Sequence, residues 1–273
     1  MHPILFDLGP FSLHTYGLAM ALAFAASILV AMRRAKERGL GSQFALDLSV
    51  LILIFSLVGA RATYVFTHLG EYREHPLDAI SPIQHTGKIG IEGLILLGGV
   101  FAAFVTIWFY ARRKGKPYLA VSDLLAPPAV LGIAIGRLGC FFNGCCFGSP
   151  THLPCGVRFP AESLAAYVFP EQCVHPTQLY ETLFTLLIFA FLMLYDRRPR
   201  PAGRITGLFL LLYGVGRYAN ELLRWYETEM VLWRGAGGRF TISQAISLLM
   251  IVAGALLVAR SLRKVRPETE KPA

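Results

Sequence analysis

Long apolar segments, separated by short polar ones, dominate the chain. A helix of about 20 apolar residues crosses the hydrocarbon core of a bilayer, and runs of about that length recur here. Seven runs can be drawn, at 15–33, 44–67, 90–111, 119–141, 177–195, 204–224 and 240–260. The pattern therefore predicts an all-α integral membrane protein with seven transmembrane helices.

Basic residues lie at the edges of these runs. Of the 26 lysines and arginines, 17 fall in four clusters, at 33–38, 112–116, 197–204 and 260–271. Cytoplasmic loops carry such an excess of positive charge. With all four clusters in the cytoplasm, every run crosses in the required direction, the N-terminus lies outside and the C-terminus lies in the cytoplasm. The net charge of +9 then reflects topology, and no nucleic-acid partner is expected.

Composition agrees with a membrane protein. The chain is 55% hydrophobic and 16% charged, whereas soluble domains carry about 25% charged residues. Its N-terminus lacks the features of a cleaved signal peptide. We expect a single membrane domain over 1–273, with a cytoplasmic tail at 261–273. The outer-face segment 142–176 contains five prolines, so it is predicted to be irregular, and long connections of this kind are usually functional or mobile.

Three arginines, Arg61, Arg137 and Arg217, lie inside apolar runs. At the centre of a membrane helix each costs about 2.5–3.5 kcal/mol on insertion scales. The helical rise places all three in the outer half of the membrane. One interpretation is that they snorkel to headgroups, with Arg217 and Glu221 as a structural i,i+4 ion pair. Three guanidinium groups at one level instead favour an anion site open to the outer leaflet, where a phospholipid headgroup is the expected anion.

Other polar residues and several glycines fall in the same layer. Glycines near Arg137 let backbones or a ligand approach closely, and Pro127 and Pro128 are expected to break or kink the fourth span. The polar residues are His14, Tyr16, Glu92, Asn143, His175, Gln178 and Glu221, and the glycines are Gly132, Gly136, Gly139, Gly144 and Gly148.

The stretch GRLGCFFNGCCFG, residues 136–148, resembles the signature of the prolipoprotein diacylglyceryl transferases, G-R-x-G-N-F-x-N-x-E-x-x-G. Collinear matches cover most of the chain and agree with the seven spans. They are LGPFSLHTYGL (8–18), GARATYVF (59–66), VSDLLAPP (121–128), HPTQLYE (175–181), GLFLLLYGVGRYANELLR (207–224) and ISQAISLLMIVAG (242–254).

The resemblance implies an enzyme of the bacterial plasma (inner) membrane with its active site toward the outer leaflet. Such an enzyme transfers the diacylglyceryl group of phosphatidylglycerol to the lipobox cysteine thiol of a preprolipoprotein. A thioether forms and glycerol phosphate leaves. The partners implied are phosphatidylglycerol, the lipobox of the preprolipoprotein signal peptide and the lipid bilayer, with no metal and no cofactor.

The resemblance also assigns residues. Arg137 and Arg217 are expected to clamp the lipid phosphate and Glu221 to orient Arg217, while Asn143 and Tyr16 hydrogen-bond the glycerol or the developing charge. The expected substrate-binding residues are Arg61, His14, Gly98, Gly99, Gly139, Gly148, His175, Gln178, Tyr180 and Glu181. Asp123 also lies in a matching motif.

Three positions depart from the family pattern. Cys140 replaces the first signature asparagine, Cys145 replaces the glutamate, and Leu97 stands where many members carry histidine or tyrosine. The acceptor thiol must become a thiolate, and these replacements leave the base unidentified. The candidates are Glu181, His175, Glu92 and His14, unless nearby arginines lower the thiol pKa enough to remove the need for a base.

The five cysteines allow three interpretations. Cys140, Cys145 and Cys146 pack as small apolar residues, with an outer disulfide such as Cys155 with Cys173; or they form a zinc or thiol-redox site near His152 and His175, without the usual C-x2-C spacing; or one is a reactive thiol used in transfer. The alternative functions are a paralogue with another acceptor, a non-catalytic phospholipid-binding or transport protein, and a membrane thiol-redox protein.

Overall fold

A computed structural model describes residues 4–7, 12–70, 72, 93–226, 231–235 and 238–263. Within these residues the protein is mainly helical. The helices are α1 (Thr15–Glu37), α2 (Ser42–Thr67), α3 (Leu96–Arg113), α4 (Tyr118–Phe142), α5 (Leu164–Val168), α6 (Thr177–Tyr195), α7 (Arg204–Leu223) and α8 (Ile242–Arg263). Two short antiparallel hairpins, absent from the sequence prediction, pair β1 (Ile4–Asp7) with β2 (Ser12–His14) and β3 (Val231–Gly235) with β4 (Gly238–Thr241).

Six of the described helices, α1, α2, α3, α4, α6 and α8, are long and apolar enough to cross a membrane. They confirm the prediction of an all-helical integral membrane protein. The 20-residue α7 coincides with the sixth predicted run but is more polar, and its Arg204, Arg217, Asn220 and Glu221 are buried within the protein. A seventh crossing and the orientation of the termini stay predictions.

The chain divides into two compact units, residues 31–121 and residues 1–30 with 122–273. In the smaller unit, α2 packs closely on α3 because each helix has a glycine at the contact. A Cβ at Gly98 would collide with Thr63 and with the backbone of Gly59. The Ile95 N–H donates to the Ala60 carbonyl at 3.1 Å just before α3 begins. Small residues at helix contacts of this kind are typical of membrane proteins.

The larger unit packs α4, α6 and α7 around an apolar core. That core is formed by Ala126, Val130, Ile188, Leu192 and Ile205. The buried carboxylate of Asp123, one turn earlier on α4, caps the start of α7. Its oxygens accept from the N–H of Gly203 at 2.7 Å and from the N–H of Thr206 at 2.8 Å. An anionic cap satisfies the free N–H groups of a helix N-terminus, so the family-like Asp123 has a structural role here.

Pro127 and Pro128 do not break α4, which runs continuously from Tyr118 to Phe142. The expectation of a break is therefore wrong. Neither proline can donate the N–H that the preceding turn requires. Tertiary packing outweighs this loss, because Val121, Leu124 and Val130 are all at most 1% exposed.

The segment 142–176, whose place on the outer face stays a prediction, is irregular as expected, apart from the five-residue α5. An aromatic cluster stabilises it: Phe147 stacks on Trp225 at a centroid distance of 5.6 Å, and Phe169 packs edge-on against both rings. Isolated bridges join Gly148 to Arg224 and Val174 to Val157. The segment is thus fastened to the end of α7 and to the chain that leads into α6.

Candidate active site

A buried glutamate, Glu181, lies at the centre of the site. It is 1% exposed and comes from the first turns of α6. The Arg137 Nε of α4 lies 3.1 Å from Glu181 Oε1, and the Arg217 Nη1 of α7 lies 3.5 Å from Oε2. The Tyr213 hydroxyl donates to Oε1 at 2.9 Å. Three helices therefore meet at one carboxylate, which is the compensation that a buried charge requires.

A second carboxylate, Glu221, holds the other side of Arg217. Arg217 Nη2 lies 2.8 Å from Glu221 Oε2, in the i,i+4 pairing that the sequence predicted. The Tyr226 hydroxyl donates to the same oxygen at 3.0 Å and accepts from Arg217 Nη2 at 3.1 Å. Thr241 donates to Glu221 Oε1 at 2.9 Å. We call Arg137, Glu181, Arg217 and Glu221 the arginine–glutamate network.

The two arginines of the network differ in how many of their guanidinium nitrogens already have partners. Arg217 faces two carboxylates, and its side chain is 9% exposed. Arg137 uses only its Nε, and its side chain is 21% exposed. Among the described residues nothing hydrogen-bonds its two terminal nitrogens. Because the guanidinium fork matches a phosphate geometrically, Arg137 is the residue best placed to bind an anion.

Tyr16, Asn143, Gly139 and Gly148 lie around the end of α4. The Tyr16 ring packs beside Gly139, 3.5 Å from where a Cβ would stand, and the tyrosine remains 40% exposed. Asn143 directly follows α4, and its N–H donates to the Gly139 carbonyl at 3.0 Å. Gly148 has no room for a side chain, since a Cβ would lie 2.6 Å from both His175 Cβ and the Leu223 carbonyl. Gly139 and Gly148 therefore allow close packing within the protein, and their contact with substrate stays a prediction.

The HPTQLYE motif, residues 175–181, leads into α6. Its side chains contact the cysteine-rich turn on one side and Cys155 on the other. Gln178 is buried and donates through Nε2 to the Cys145 carbonyl at 2.6 Å. His175 Nδ1 lies 3.3 Å from the Tyr180 hydroxyl, which donates to Cys155 Sγ at 3.2 Å. The motif thus ties the cysteine-rich turn to the start of α6. Glu92 and the side chain of His14 lie outside the described residues.

Arg61, Gly98 and Gly99 belong to the smaller unit. The Arg61 guanidinium lies over the rings of Tyr64 and Tyr72, and Nη1 donates to the Gly93 carbonyl at 3.4 Å. Gly98 and Gly99 form the contact of α3 with α2. The predicted roles of these residues in substrate binding remain predictions.

Three cysteines form the group of described residues best suited to hold a metal. The Sγ atoms of Cys140, Cys145 and Cys146 lie within 4.8 Å of one another; we call them the cysteine cluster. Hydrogen bonds from the Cys140 and Cys145 thiols, with the charges of Arg224 and Arg137, lower the pKa of Cys146. All five cysteines are free thiols, so the disulfide expected between Cys155 and Cys173 is absent from the structure.

Sequence reasoning missed four side chains that hold the network: Tyr213, Asn220, Tyr226 and Thr241. Asn220 Nδ2 donates to Glu181 Oε2 at 3.3 Å and to the Thr177 carbonyl at 3.1 Å. The sequence did contain a signal for Tyr213. It precedes Arg217 by four residues, as Arg217 precedes Glu221, so all three share one helix face. Tyr226 and Thr241 follow α7 in the chain, where no periodic pattern points to a shared site.

Comparisons with known proteins agree with this arrangement of motifs. The family model described as prolipoprotein diacylglyceryl transferase matches residues 3–260. Among curated relatives named phosphatidylglycerol–prolipoprotein diacylglyceryl transferase, the protein of Clostridium tetani is 30% identical over 93% of this chain and 95% of its own. The proteins of Bordetella avium and Oleidesulfovibrio alaskensis are 34% and 35% identical, each over 96% of this chain and over 95% and 93% of their own. The chain therefore belongs to the prolipoprotein diacylglyceryl transferase family.

Proposed function

We propose that this protein transfers the diacylglyceryl group of phosphatidylglycerol to the lipobox cysteine of preprolipoproteins, forming a thioether and releasing glycerol phosphate. The observation that carries the proposal is the open guanidinium fork of Arg137, held in place through its Nε by the buried Glu181. A phosphodiester is the ligand that such a fork binds bidentately. The relatives' names supply the lipid and the acceptor.

The residues of the network act by positioning and by stabilising charge. As the phosphate leaves, negative charge develops on its oxygens, and Arg137 stabilises that charge. Arg217 supports the clamp from α7, oriented by Glu221 and Tyr226. Tyr16 and Asn143 lie near the C-terminal end of α4 and hydrogen-bond the glycerol or the developing charge.

Glu181 serves as a positioning residue rather than as the base. It is 1% exposed and already pairs with Arg137 and Arg217 while accepting from Tyr213. A general base must reach the proton that it removes, and this carboxylate is enclosed. The acceptor thiol therefore requires another source of activation.

The proposed setting is a bacterial inner membrane crossed seven times, with the N-terminus outside and the active site toward the outer leaflet. The four basic clusters support this orientation through the positive-inside rule. The polar face of α7, which lowers its hydropathy, is buried in the larger unit, so the helix can cross without exposing that face to lipid.

The proposal is tested by transfer of labelled diacylglyceryl from phosphatidylglycerol vesicles to a lipobox peptide by the purified protein. Arg137→Ala and Arg217→Ala are each expected to reduce the transfer rate about 100-fold or more, as removal of a transition-state charge stabiliser does. Arg33→Ala is the matched control, because Arg33 forms an exposed pair with Glu37. Vesicle binding without product in the parent protein would overturn the proposal in favour of a lipid-binding role.

A second candidate is a paralogue that uses a different acceptor thiol. The observation that favours it is the replacement of two polar signature positions by Cys140 and Cys145. Complementation of a strain depleted of its own transferase separates the two. A lipobox transferase restores lipoprotein maturation, whereas a paralogue with another acceptor leaves the precursors unprocessed.

A further inference from the structure

The cysteine cluster gathers three soft ligands at one point. Cys140 lies in the last turn of α4 and is buried, while Cys145 and Cys146 lie in the turn that follows the helix and are half-buried. Their Sγ atoms all lie within 4.8 Å of one another, and all three are free thiols. Zinc–sulfur bonds of about 2.3 Å in a tetrahedron place sulfur atoms about 3.8 Å apart. A contraction of about 1 Å would therefore let the three thiolates share one zinc ion.

The backbone around the cluster is fixed by buried side chains from α6. Thr177 Oγ1 donates to the Cys146 carbonyl at 2.7 Å, and Gln178 Nε2 donates to the Cys145 carbonyl at 2.6 Å. Cys146 adopts φ +64, a left-handed conformation that favours glycine. Such conformations persist where the surroundings enforce them, and they concentrate at functional sites. The backbone that carries the thiols is thus held in place before any ion binds.

A second observation points to a ligand at this place. Gln178 is 1% exposed, yet its Oε1 has no hydrogen-bond partner among the described residues. The same amide donates to the Cys145 carbonyl, so the unpartnered oxygen lies beside the cysteine-rich turn. Buried acceptors are normally satisfied, and a water held at the open position of a bound metal, before the acceptor thiol replaces it, would donate to this one.

We propose that Cys140, Cys145 and Cys146 bind one zinc ion and leave its fourth position open for the acceptor thiol. Three thiolates select thiophilic cations and disfavour Mg²⁺ and Ca²⁺, which require oxygen ligands. Three protein ligands with one open position is the pattern of catalytic rather than structural zinc. The charges of Arg137 and Arg224 act on Cys146 and offset the negative charge of a three-thiolate complex.

This zinc site supplies the activation of the acceptor thiol in the transfer reaction, and the inference therefore rests on the proposed function. The acceptor thiol loses its proton to water when it coordinates the metal, because coordination deprotonates a thiol. Its sulfur then forms the S–C bond to the glycerol carbon of the lipid. The C–O bond from that carbon to the phosphate breaks, and its electron pair stays on the departing glycerol phosphate. Arg137 precedes Cys140 by three residues on α4 and so shares its helix face, which places the phosphate site beside the thiol site.

This activation supplies what the replaced signature positions no longer provide. Cys145 removes the family's glutamate, and the enclosed Glu181 cannot take its place. With a metal-bound acceptor, no carboxylate base is needed. The same two replacements that remove polar groups therefore supply two of the three ligands.

The first test is metal analysis of the full-length protein purified in detergent, followed by cobalt substitution. We expect about one zinc per chain and, with cobalt, an intense thiolate-to-metal absorption with tetrahedral d–d bands. Cys140→Ser, Cys145→Ser and Cys146→Ser should each lower zinc content on the order of tenfold, whereas Cys173→Ser should leave it unchanged. Unchanged helix content by circular dichroism shows that the variants fold. Absence of metal after reconstitution, copper in place of zinc, or a disulfide within the cluster would overturn the proposal.

The second test separates this site from the transfer reaction itself. Removing zinc with a chelator should abolish diacylglyceryl transfer to a lipobox peptide, and added zinc should restore it. Transfer that continues in the zinc-free protein would overturn the proposed role while leaving the transferase function standing. Zinc bound by the cluster, with cobalt bands that shift when the lipobox peptide binds but no product, would support the site and overturn the proposed transfer reaction instead.

Discussion

At the scale of single residues, Glu181 is the residue that holds both arginines of the site in place. It accepts hydrogen bonds or ion pairs from α4 and α7 while it is itself 1% exposed. Its charge compensates two guanidinium groups, whereas Glu221 serves only Arg217. Loss of the Glu181 charge would leave Arg217 paired with Glu221 alone and Arg137 without a carboxylate partner among the described residues.

Glu181→Gln tests this role because it keeps the size of the side chain and removes the charge. We expect a loss of about 3–5 kcal/mol in stability, the usual cost of removing one partner of a buried ion pair. Transfer activity should fall with it. Thermal unfolding in detergent measures the effect. Glu37→Gln, which removes the exposed partner of Arg33, should change stability by less than about 1 kcal/mol. Equal effects of the two variants would contradict the central role of Glu181.

Tyr226 makes a second residue-scale prediction, because its hydroxyl bridges Arg217 and Glu221. Burial raises the pKa of this phenol above its ordinary value of 10.0. A raised pKa means that the contribution to stability is complete below about pH 10 and is lost as the pH rises through the folded-state pKa. Tyr226→Phe should therefore cost about 1–2 kcal/mol at neutral pH and progressively less above about pH 10.

The measurement is the apparent Tm of the parent and of Tyr226→Phe across this pH range. The difference between the two should narrow as the pH rises. Tyr218→Phe is the matched control, since Tyr218 lies on the same helix as Arg217 and no described residue hydrogen-bonds its hydroxyl. A difference that stays constant with pH would show that the Tyr226 hydroxyl is not the group that titrates.

At the scale of elements, the start of α8 is built into the site. Thr241 N donates to Gln244 Oε1 at 2.9 Å, and Gln244 N donates to Thr241 Oγ1 at 3.2 Å. This reciprocal pair is a capping box. The same Thr241 hydroxyl donates to Glu221. The cap of α8 and the orientation of Arg217 on α7 therefore depend on one hydroxyl group.

Thr241→Val should destabilise the protein by about 1–2 kcal/mol, because it removes a helix cap and leaves a buried carboxylate oxygen without its donor. Thr241→Ser retains the hydroxyl and should restore both stability and transfer. Apparent Tm and initial transfer rate are measured together. A valine variant that loses stability but keeps the parent rate would show that the cap does not orient the network.

The apolar runs predicted the long helices well, because the ability of a segment to span the lipid depends on its own length and apolar composition. The run 177–195 coincides with α6. The run that was expected to begin at 90 gives a helix that starts at Leu96, since Gly93 adopts φ +77 and Ile95 is extended. Neither hairpin was foreseen, because β3 and β4 are short and lack an alternating pattern long enough to read.

The site was predictable only where its partners lie on one helix. The Arg217–Glu221 pair follows from i,i+4 spacing. Arg137 and Glu181 are 44 positions apart on α4 and α6, and their pairing depends on how α4, α6 and α7 pack around Ala126 and Ile188. The cysteine cluster likewise depends on the left-handed turn at Cys146, which the sequence Asn-Gly-Cys-Cys does not specify.

At the scale of the whole molecule, the crossing of α7 determines where the two ends of the chain lie. Six spans place both termini on the same side of the membrane, and seven place them on opposite sides. The helix is 20 residues long, or about 30 Å, which equals the thickness of the hydrocarbon core. Its buried Arg217, Asn220 and Glu221 are compensated by α6 and β4, so lipid does not meet them.

We therefore expect peptide tags at the two ends to differ in accessibility in spheroplasts. An N-terminal tag should bind antibody from outside, and a C-terminal tag only after the membrane is permeabilised. Detection of both tags after permeabilisation controls for their presence. Tags that behave alike would mean that one predicted span does not cross, and α7 would be the first to examine, because its polar face sets it apart from the other six. Since Arg217 lies in the second half of α7, the expected orientation would also place the network toward the outer leaflet.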